Sequence, residues 1–185
     1  MDNVLDAAAA FAVQAHWGMM RKAGNLPYIL HPMEAAVIVA SMTDDPELLA
    51  AAMLHDVVED AGVTPEQIQE KFGQRVRELV ASETEDKRED LPAGATWKIR
   101  KEEAIKVLKN TGDLGVKMLF LGDKLSNLRS ISRGVKAQGE AFWQQFNQKD
   151  PREHHWYYRE VADATCELSA FDAWQEFDRL IDEVF

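Results

Sequence analysis

The apolar run that begins near Leu48 ends in Leu54-His55-Asp56-Val57-Val58-Glu59-Asp60, where four ionisable residues close a segment that otherwise reads as core. The spacing predicts one continuous helix through Asp60. Residues four apart share a helix face, so His55 would sit above Glu59 and Asp56 above Asp60. His55 and Asp56 are adjacent and about 100° apart around the axis, so both could reach one ion beside the helix. Glu59 and Asp60 lie one turn on, within reach of a water on that ion. The plainer reading is a helix end with solvated carboxylates and one partly buried histidine, and the rest of the chain decides between the two.

Apolar residues recur at helical spacing along most of the 185 residues, with the ten glycines and six prolines falling mostly between the periodic segments. Alternating β-branched runs are nearly absent, while Ala, Leu, Glu and Lys are abundant, which predicts an all-α fold. The expected helices run from Val4 to Trp17, Met33 to Met42, Leu48 to Asp60, Thr64 to Phe72, and Gln74 to Ser82. Further ones span Thr96 to Asn110, Leu114 to Arg129, Lys136 to Gln148, Glu153 to Ser169 and Phe171 to Val184. Asp45 before Pro46 and Thr64 three residues before Gln67 carry N-terminal capping signatures. His31 precedes Pro32, which disfavours helical backbone at His31 and suits a first helical turn, so this histidine should be fixed at a helix entrance. Glu83 to Ala95 has no apolar period and reads as a charged loop. With 46% hydrophobic residues, one domain over 1–185 is expected, its core motifs in 4–133 and a helical C-terminal extension over 136–185.

Asp123 interrupts the most apolar of these helices. An unpartnered ionised carboxylate inside a core costs several kcal/mol, so Asp123 must be paired, hydrogen-bonded or bound to metal. Asn127 shares its face one turn later. Together, His31, His55, Asp56 and Asp123 make a nitrogen and oxygen ligand set without thiolate, suited to one divalent ion: Mn²⁺, Fe²⁺, Co²⁺ or Zn²⁺. Glu59 or Asp60 would then orient a water molecule or take its proton.

The formal charge of −11 and pI near 4.9 argue against non-specific binding to nucleic acid or to an anionic membrane. Neither a membrane-spanning run nor a secretory leader is legible, so the expected location is cytoplasmic. Cys166, the only cysteine, is expected in the core. The aromatic residues of the C-terminal segments, Trp143 to Trp174, are expected mainly as core anchors.

His31, the pair His55-Asp56 and the later Asp123 are spaced in a way that resembles the HD-domain metal-dependent phosphohydrolases. Three phrases, Arg21-Lys22 to Tyr28-Ile29-Leu30-His31-Pro32, Leu54 to Asp60, and Asp123 to Arg129, resemble the hydrolase domain of RelA/SpoT-type enzymes and the small alarmone hydrolases. The resemblance implies an all-α fold and Mn²⁺ on His31, His55, Asp56 and Asp123, with Glu59 and Asp60 serving the nucleophilic water. It also implies a stand-alone enzyme that removes the 3′-pyrophosphate of ppGpp or pppGpp to give GDP or GTP, with Arg21, Lys22 and Asn127 lining the nucleotide site. Another nucleotide as substrate, or a catalytically silent nucleotide sensor, stay open as alternatives. Family members often read Val-Thr-Lys or Val-Thr-Asp-Asp where this chain has Glu83-Thr84-Glu85-Asp86, so that pocket wall is expected to differ. An acidic protein needs local cations for a polyphosphate. Arg21, Lys22 and Lys124 are expected to converge on the metal cleft, with Tyr157 and Arg88 as further candidates and Lys87, Lys98, Arg100 and Lys101 nearby.

Overall fold

In the computed structural model, which describes residues 4–21, 26–88 and 90–185, helices pack around one long central helix. In chain order they are α1 (Val4–Ala15), α2 (Leu30–Ala40), α3 (Pro46–Leu54), α4 (Val57–Asp60), α5 (Pro65–Phe72) and α6 (Gln74–Glu83). There follow α7 (Ala93–Asn110), α8 (Leu114–Gln138), α9 (Pro151–Ala164) and α10 (Asp172–Val184), with 3₁₀ turns at Gly139–Gln145 and Cys166–Leu168. Extended pairing among the described residues is limited to an isolated bridge between Met20 and Pro27. No described helix is long and apolar enough to cross a membrane.

The central helix is α8. Its Leu119, Phe120, Leu121, Leu125 and Leu128 are buried, and α2, α3, α6 and α10 pack around it. Gly122 sets the closest of these approaches: a Cβ there would lie 2.6 Å from Val39 Cγ2 and 3.0 Å from the Ala35 carbonyl of α2. Removing the side chain lets the two backbones draw together, and this contact sets α2 against the α8 turn that carries Asp123. Gly134 plays a similar part further along, where the Phe142 ring covers the position a Cβ would occupy and folds the 3₁₀ segment back onto α8.

The predicted caps are present. Asp45 accepts from the Glu47 and Leu48 amides, and Thr64 with Gln67 forms a reciprocal capping box. Several boundaries differ from the sequence reading. The helix expected through Asp60 breaks at His55-Asp56, because the His55 ring donates Nδ1–H to the Ala52 carbonyl (2.9 Å), the acceptor that continuation of the helix would use. His31 is itself helical, in a helix that starts at Leu30, with its amide donating to the Tyr28 carbonyl (2.9 Å). Pro32 falls in the first turn, where a missing N–H leaves nothing unsatisfied, and so it does not delay the start. Helix α7 begins at Ala93, three residues before the start expected at Thr96, so Thr96 is a buried interior residue bonded to the Ala93 carbonyl. The helix expected over Lys136 to Gln148 is instead the end of α8 followed by a 3₁₀ turn. Cys166 is exposed, against the expectation of a core position: α9 ends at Ala164, and Cys166 opens the 3₁₀ turn in which Leu168 takes the buried place. Of the aromatic anchors, Trp143, Tyr157 and Tyr158 are buried, while Trp156, Phe171 and Trp174 are only partly so.

Candidate metal centre and adjoining cleft

Three parts of the chain bring the four expected donors close together, and three of them, His31, His55 and Asp123, gather at one point. His31 comes from the first turn of α2, His55 and Asp56 from the break between α3 and α4, and Asp123 from the middle of α8. His31 Nε2 lies 3.0 Å from Asp123 Oδ1, 3.4 Å from Asp56 Oδ2 and 3.2 Å from His55 Nε2. His55 Nε2 lies 3.2 Å from Asp56 Oδ2 and 3.6 Å from Asp123 Oδ1. Donors bonded at about 2.1 Å to one ion stand about 3.0 Å apart at octahedral angles and about 3.4 Å apart at tetrahedral ones. Four of these five distances fall in that range, and the His55 to Asp123 distance, 3.6 Å, is slightly longer. His31, His55 and Asp123 are buried, at 4%, 2% and 4% exposure, and each offers an atom to a common point.

The chemistry of the donor set fits a cation as well as its spacing does. His55 donates Nδ1–H to Ala52, which leaves the Nε2 lone pair for the cluster. His31 binds Ser126 through Nδ1 (2.9 Å) and likewise turns Nε2 inward. Burial works against a charged His55, but Asp56 and Asp123 outweigh it and raise its pKa well above the ordinary value. For His31, burial dominates and lowers it. Asp123 is held well below the usual carboxylate range: burial opposes its charge, but Lys124 and the two imidazoles prevail. The point between the rings therefore favours positive charge. Asn127 Nδ2 donates to Asp123 Oδ1 (2.5 Å), and Lys124 pairs with Oδ2.

Beside the donors, the Tyr28 hydroxyl stands 2.7 Å from both Asp56 Oδ2 and Asp60 Oδ2, so one hydroxyl hydrogen serves two carboxylates. Burial and these neighbours raise the phenol far above its ordinary pKa, leaving it a donor at all ordinary pH. Asp60 also accepts from Lys87 Nζ (2.5 Å). Glu59 accepts from the Glu85 amide (3.3 Å), and its pKa is raised, first by burial and then by Asp56. Because the helix breaks at residues 55–56, the expected stacking of His55 on Glu59 is replaced by this bridging through Tyr28 and the 84–88 segment.

These groups line a polar pocket of about 160 Å³, which shares Arg21, Arg100, Lys101 and Asn127 with a larger cleft of about 660 Å³. Trp97, Ile131, Phe146, Tyr157 and Tyr158 line the larger cleft, a size and mixed character typical of small-molecule sites. Arg21 reaches Asn127 (Nη2 to Oδ1, 2.8 Å) and covers the Tyr28 ring. Tyr157 is buried, its hydroxyl has no hydrogen-bond partner among the described residues, and Lys101 Nζ lies 4.9 Å from its ring centre. Lys22 lies outside the described residues. Arg88 and Lys98 do not join the pocket: Arg88 pairs with Glu103 (2.6 Å), and Lys98 pairs with Glu153 (2.7 Å) over the Trp156 ring.

The charged loop supplies the pocket's least expected part. Glu85 holds Arg100 (2.8 Å) and Lys101 (2.6 Å), while Glu83 lies buried with Oε2 3.2 Å from Lys124 Nζ and Oε1 unpartnered among the described residues. Burial pushes the Glu83 carboxyl up to about 7, with Lys124 opposing the rise. Tyr28, Glu83 and Glu85 carried no role in the sequence reading. For Tyr28 a signal existed, since it falls three residues before His31. For Glu83 the only signal was its departure from the Val-Thr pattern.

An all-α frame that converges two imidazoles and two carboxylates beside a mixed cleft defines the class as a helical protein with a histidine–aspartate centre. The chain belongs to the HD-domain family, whose model matches residues 8–150. It is 36% identical over 124 residues to a guanosine-3′,5′-bis(diphosphate) 3′-pyrophosphohydrolase of Aquifex aeolicus, a match that covers 67% of this chain and 17% of that one. The chain thus spans about a sixth of the length of the curated relatives it matches. The crystal structure of lmo0812 from Listeria monocytogenes superposes with a TM-score of 0.72 at 30% identity, covering 84% of this chain and 98% of the other. A structure described as a metazoan ortholog of SpoT that hydrolyzes ppGpp superposes with a TM-score of 0.79, covering 99% of this chain and 96% of the other. At 23% identity it shares the fold.

Proposed function

We propose that this chain is a divalent-ion-dependent phosphohydrolase that removes the 3′-pyrophosphate of ppGpp or pppGpp, releasing pyrophosphate and GDP or GTP in the cytoplasm. The observation that carries the reading is the buried His31, His55 and Asp123 cluster with Asp56 beside it, at a polar pocket of about 160 Å³ that shares cationic walls with a cleft of about 660 Å³. The printed name of the Aquifex aeolicus relative gives the same reaction. His31, His55, Asp56 and Asp123 would hold one ion, Mn²⁺ in this proposal, leaving positions open toward the pocket. When bound, such an ion lowers the pKa of water toward neutrality and offsets charge on a phosphoryl group.

The chain's own residues divide the remaining work. Glu59 is the proton acceptor for the attacking water, because burial raises its carboxyl above the ordinary carboxylate value. Asp60, fixed between Tyr28 and Lys87, orients that water. Arg21 and Lys22 meet the phosphates, Asn127 reaches the nucleoside, and Lys124 neutralises the phosphate nearest Asp123. Tyr157 offers the cleft an unpaired hydroxyl. The substrate is a small nucleotide, and neither nucleic acid nor a membrane is required.

The test is a Mn²⁺-supplemented assay of the purified protein against ppGpp, pppGpp and a panel of ordinary nucleotides, with products identified. Pyrophosphate together with GDP or GTP is expected. Orthophosphate or tripolyphosphate from ordinary nucleotides, with no turnover of ppGpp, would reject the alarmone substrate while keeping the hydrolase.

A further inference from the structure

The His31 ring is anchored differently from the His55 ring. His55 Nδ1 is held by a backbone carbonyl, whereas His31 Nδ1 meets the Ser126 hydroxyl (2.9 Å), and Ser126 Oγ donates to Glu34 Oε2 (2.8 Å). Glu34 Oε1 accepts from Arg129 Nη1 (3.1 Å). The other two nitrogens of Arg129 form a fork on Glu176 of α10, Nε to Oε1 at 2.7 Å and Nη2 to Oε2 at 2.6 Å. The relay crosses from α2 to α8, back to α2, again to α8 at Arg129, and ends on α10, which lies beyond the residues matched by the family model.

The polarity of this relay is fixed from its far end. A carboxylate paired with a guanidinium only accepts, so the single Ser126 hydroxyl hydrogen goes to Glu34. The Ser126 oxygen is then an acceptor toward His31, whose Nδ1 must carry the hydrogen. An imidazole with Nδ1–H presents a bare lone pair at Nε2, the atom aimed at Asp56, Asp123 and His55. We infer that Ser126, Glu34, Arg129 and Glu176 are positioning residues that set the tautomer of His31 and thereby make it a metal ligand, so that the C-terminal helix is part of the metal centre. This rests on the reading that His31, His55, Asp56 and Asp123 hold a divalent ion. It does not depend on which nucleotide is the substrate.

The decisive variant is Glu34→Gln. Its amide has the same shape but can donate to Ser126 Oγ, which frees the hydroxyl hydrogen to point at His31 Nδ1 and moves the ring hydrogen to Nε2, facing the ion. Partners of metal-bound histidines typically contribute about 10- to 100-fold to metal affinity. Mn²⁺ binding to the 185-residue chain is measured by titration calorimetry without nucleotide, and pulsed EPR of the loaded protein counts imidazole nitrogens on the ion. Glu34→Gln and Ser126→Ala should weaken Mn²⁺ binding about 10- to 100-fold and reduce the signature from two imidazoles to one. Glu176→Ala, far from the ion, should weaken binding in the same direction by a smaller factor, with an unfolding midpoint in EDTA close to that of the wild type. Wild-type affinity and a two-imidazole signature in both Glu34→Gln and Glu176→Ala would overturn the inference while leaving the metal reading intact. A wild-type protein that binds no divalent ion would overturn both.

Discussion

Gly122 is the residue through which the fold bears most directly on the metal centre, and Gly122→Ala makes that dependence measurable. In an unconstrained helix the change would stabilise by about 1 kcal/mol through propensity alone. Here the new methyl would stand 2.6 Å from Val39 Cγ2, about 1 Å inside the 3.5–4.0 Å spacing of carbon contacts, and 3.0 Å from the Ala35 carbonyl, which belongs to the backbone of α2. Val39 is wholly buried, so it has little room to turn away. Overpacking of this kind costs about 1–3 kcal/mol, which makes the net destabilisation about 0–2 kcal/mol. The larger effect falls on the site. Relief of the clash moves α8 from α2 by a sizeable fraction of 1 Å, while ligand distances tolerate only about 0.2 Å. The next residue, Asp123, is the partner of His31 at 3.0 Å. The expectation is a modest drop in the urea midpoint at unchanged m-value, with Mn²⁺ affinity reduced at least about tenfold by titration calorimetry. Val39→Ala combined with Gly122→Ala should recover much of that affinity, an interaction energy that a double-mutant cycle reads directly. A Gly122→Ala protein more stable than the wild type with unchanged Mn²⁺ affinity would refute the argument that this contact sets the site.

Glu59→Gln and Asp60→Asn should each lower turnover by about 10²- to 10⁴-fold with metal content unchanged. A loss under twofold in both would reject their roles, and loss of metal would move that residue into the ligand set. Arg21→Ala should raise KM for ppGpp about 10- to 100-fold, since a charge-assisted phosphate contact contributes about 1.5–3 kcal/mol, and an unchanged KM at moderate salt would remove Arg21 from the phosphate site. The buried Glu83 carboxyl, pushed up to about 7, binds its proton more tightly folded than unfolded. Its stabilising contribution is therefore complete below about 4.5 and lost as pH rises through about 7. Urea melts in EDTA should show Glu83→Gln gaining about 1–3 kcal/mol on the wild type between pH 4.5 and pH 8, and a constant difference across that range would contradict the burial argument.

Three of the four ligand candidates were legible because they break a local rule, and His31 only because Pro32 marks a helix entrance. Asp123 puts a charge in the most apolar helix, and His55-Asp56 closes an apolar run. The all-α class and many helix boundaries followed from period and capping, as at Asp45 and Thr64. What failed depended on side chains acting on backbone. The helix break at His55-Asp56 follows from a ring hydrogen bond to Ala52 that no propensity encodes. The exposure of Cys166 follows from where α9 ends, since the helical period expected to bury it does not continue past Ala164. The partners that fix the donors, Tyr28, Ser126 and Glu34, carried no role in the sequence reading for a different reason. Tyr28 lies 28 and 32 residues from the two carboxylates it bridges, and Ser126 lies 95 residues from His31.

The pocket's cations complicate the expectation that they stand ready for phosphate. Lys124 is already shared by Asp123 and Glu83, Arg100 and Lys101 by Glu85, and Lys87 by Glu59 and Asp60. Arg21 instead rests on the neutral Asn127. A polyphosphate entering this pocket therefore meets positive charges that have carboxylate partners, and binding requires exchange of one anion for another. Such exchange favours ligands with several phosphate charges close together, because each displaced carboxylate must be replaced on its cation. It also means that alanine scanning of these cations misleads. Lys124→Ala strands Glu83 and weakens the hold on Asp123, so its cost of about 3–5 kcal/mol in stability would be mistaken for lost substrate binding. Glu85→Gln separates the two: by loosening the hold on Arg100 and Lys101 without removing either cation, it should lower KM for ppGpp several-fold with metal affinity unchanged. A KM that rises would mean that Glu85 positions these cations for the substrate instead of competing with it.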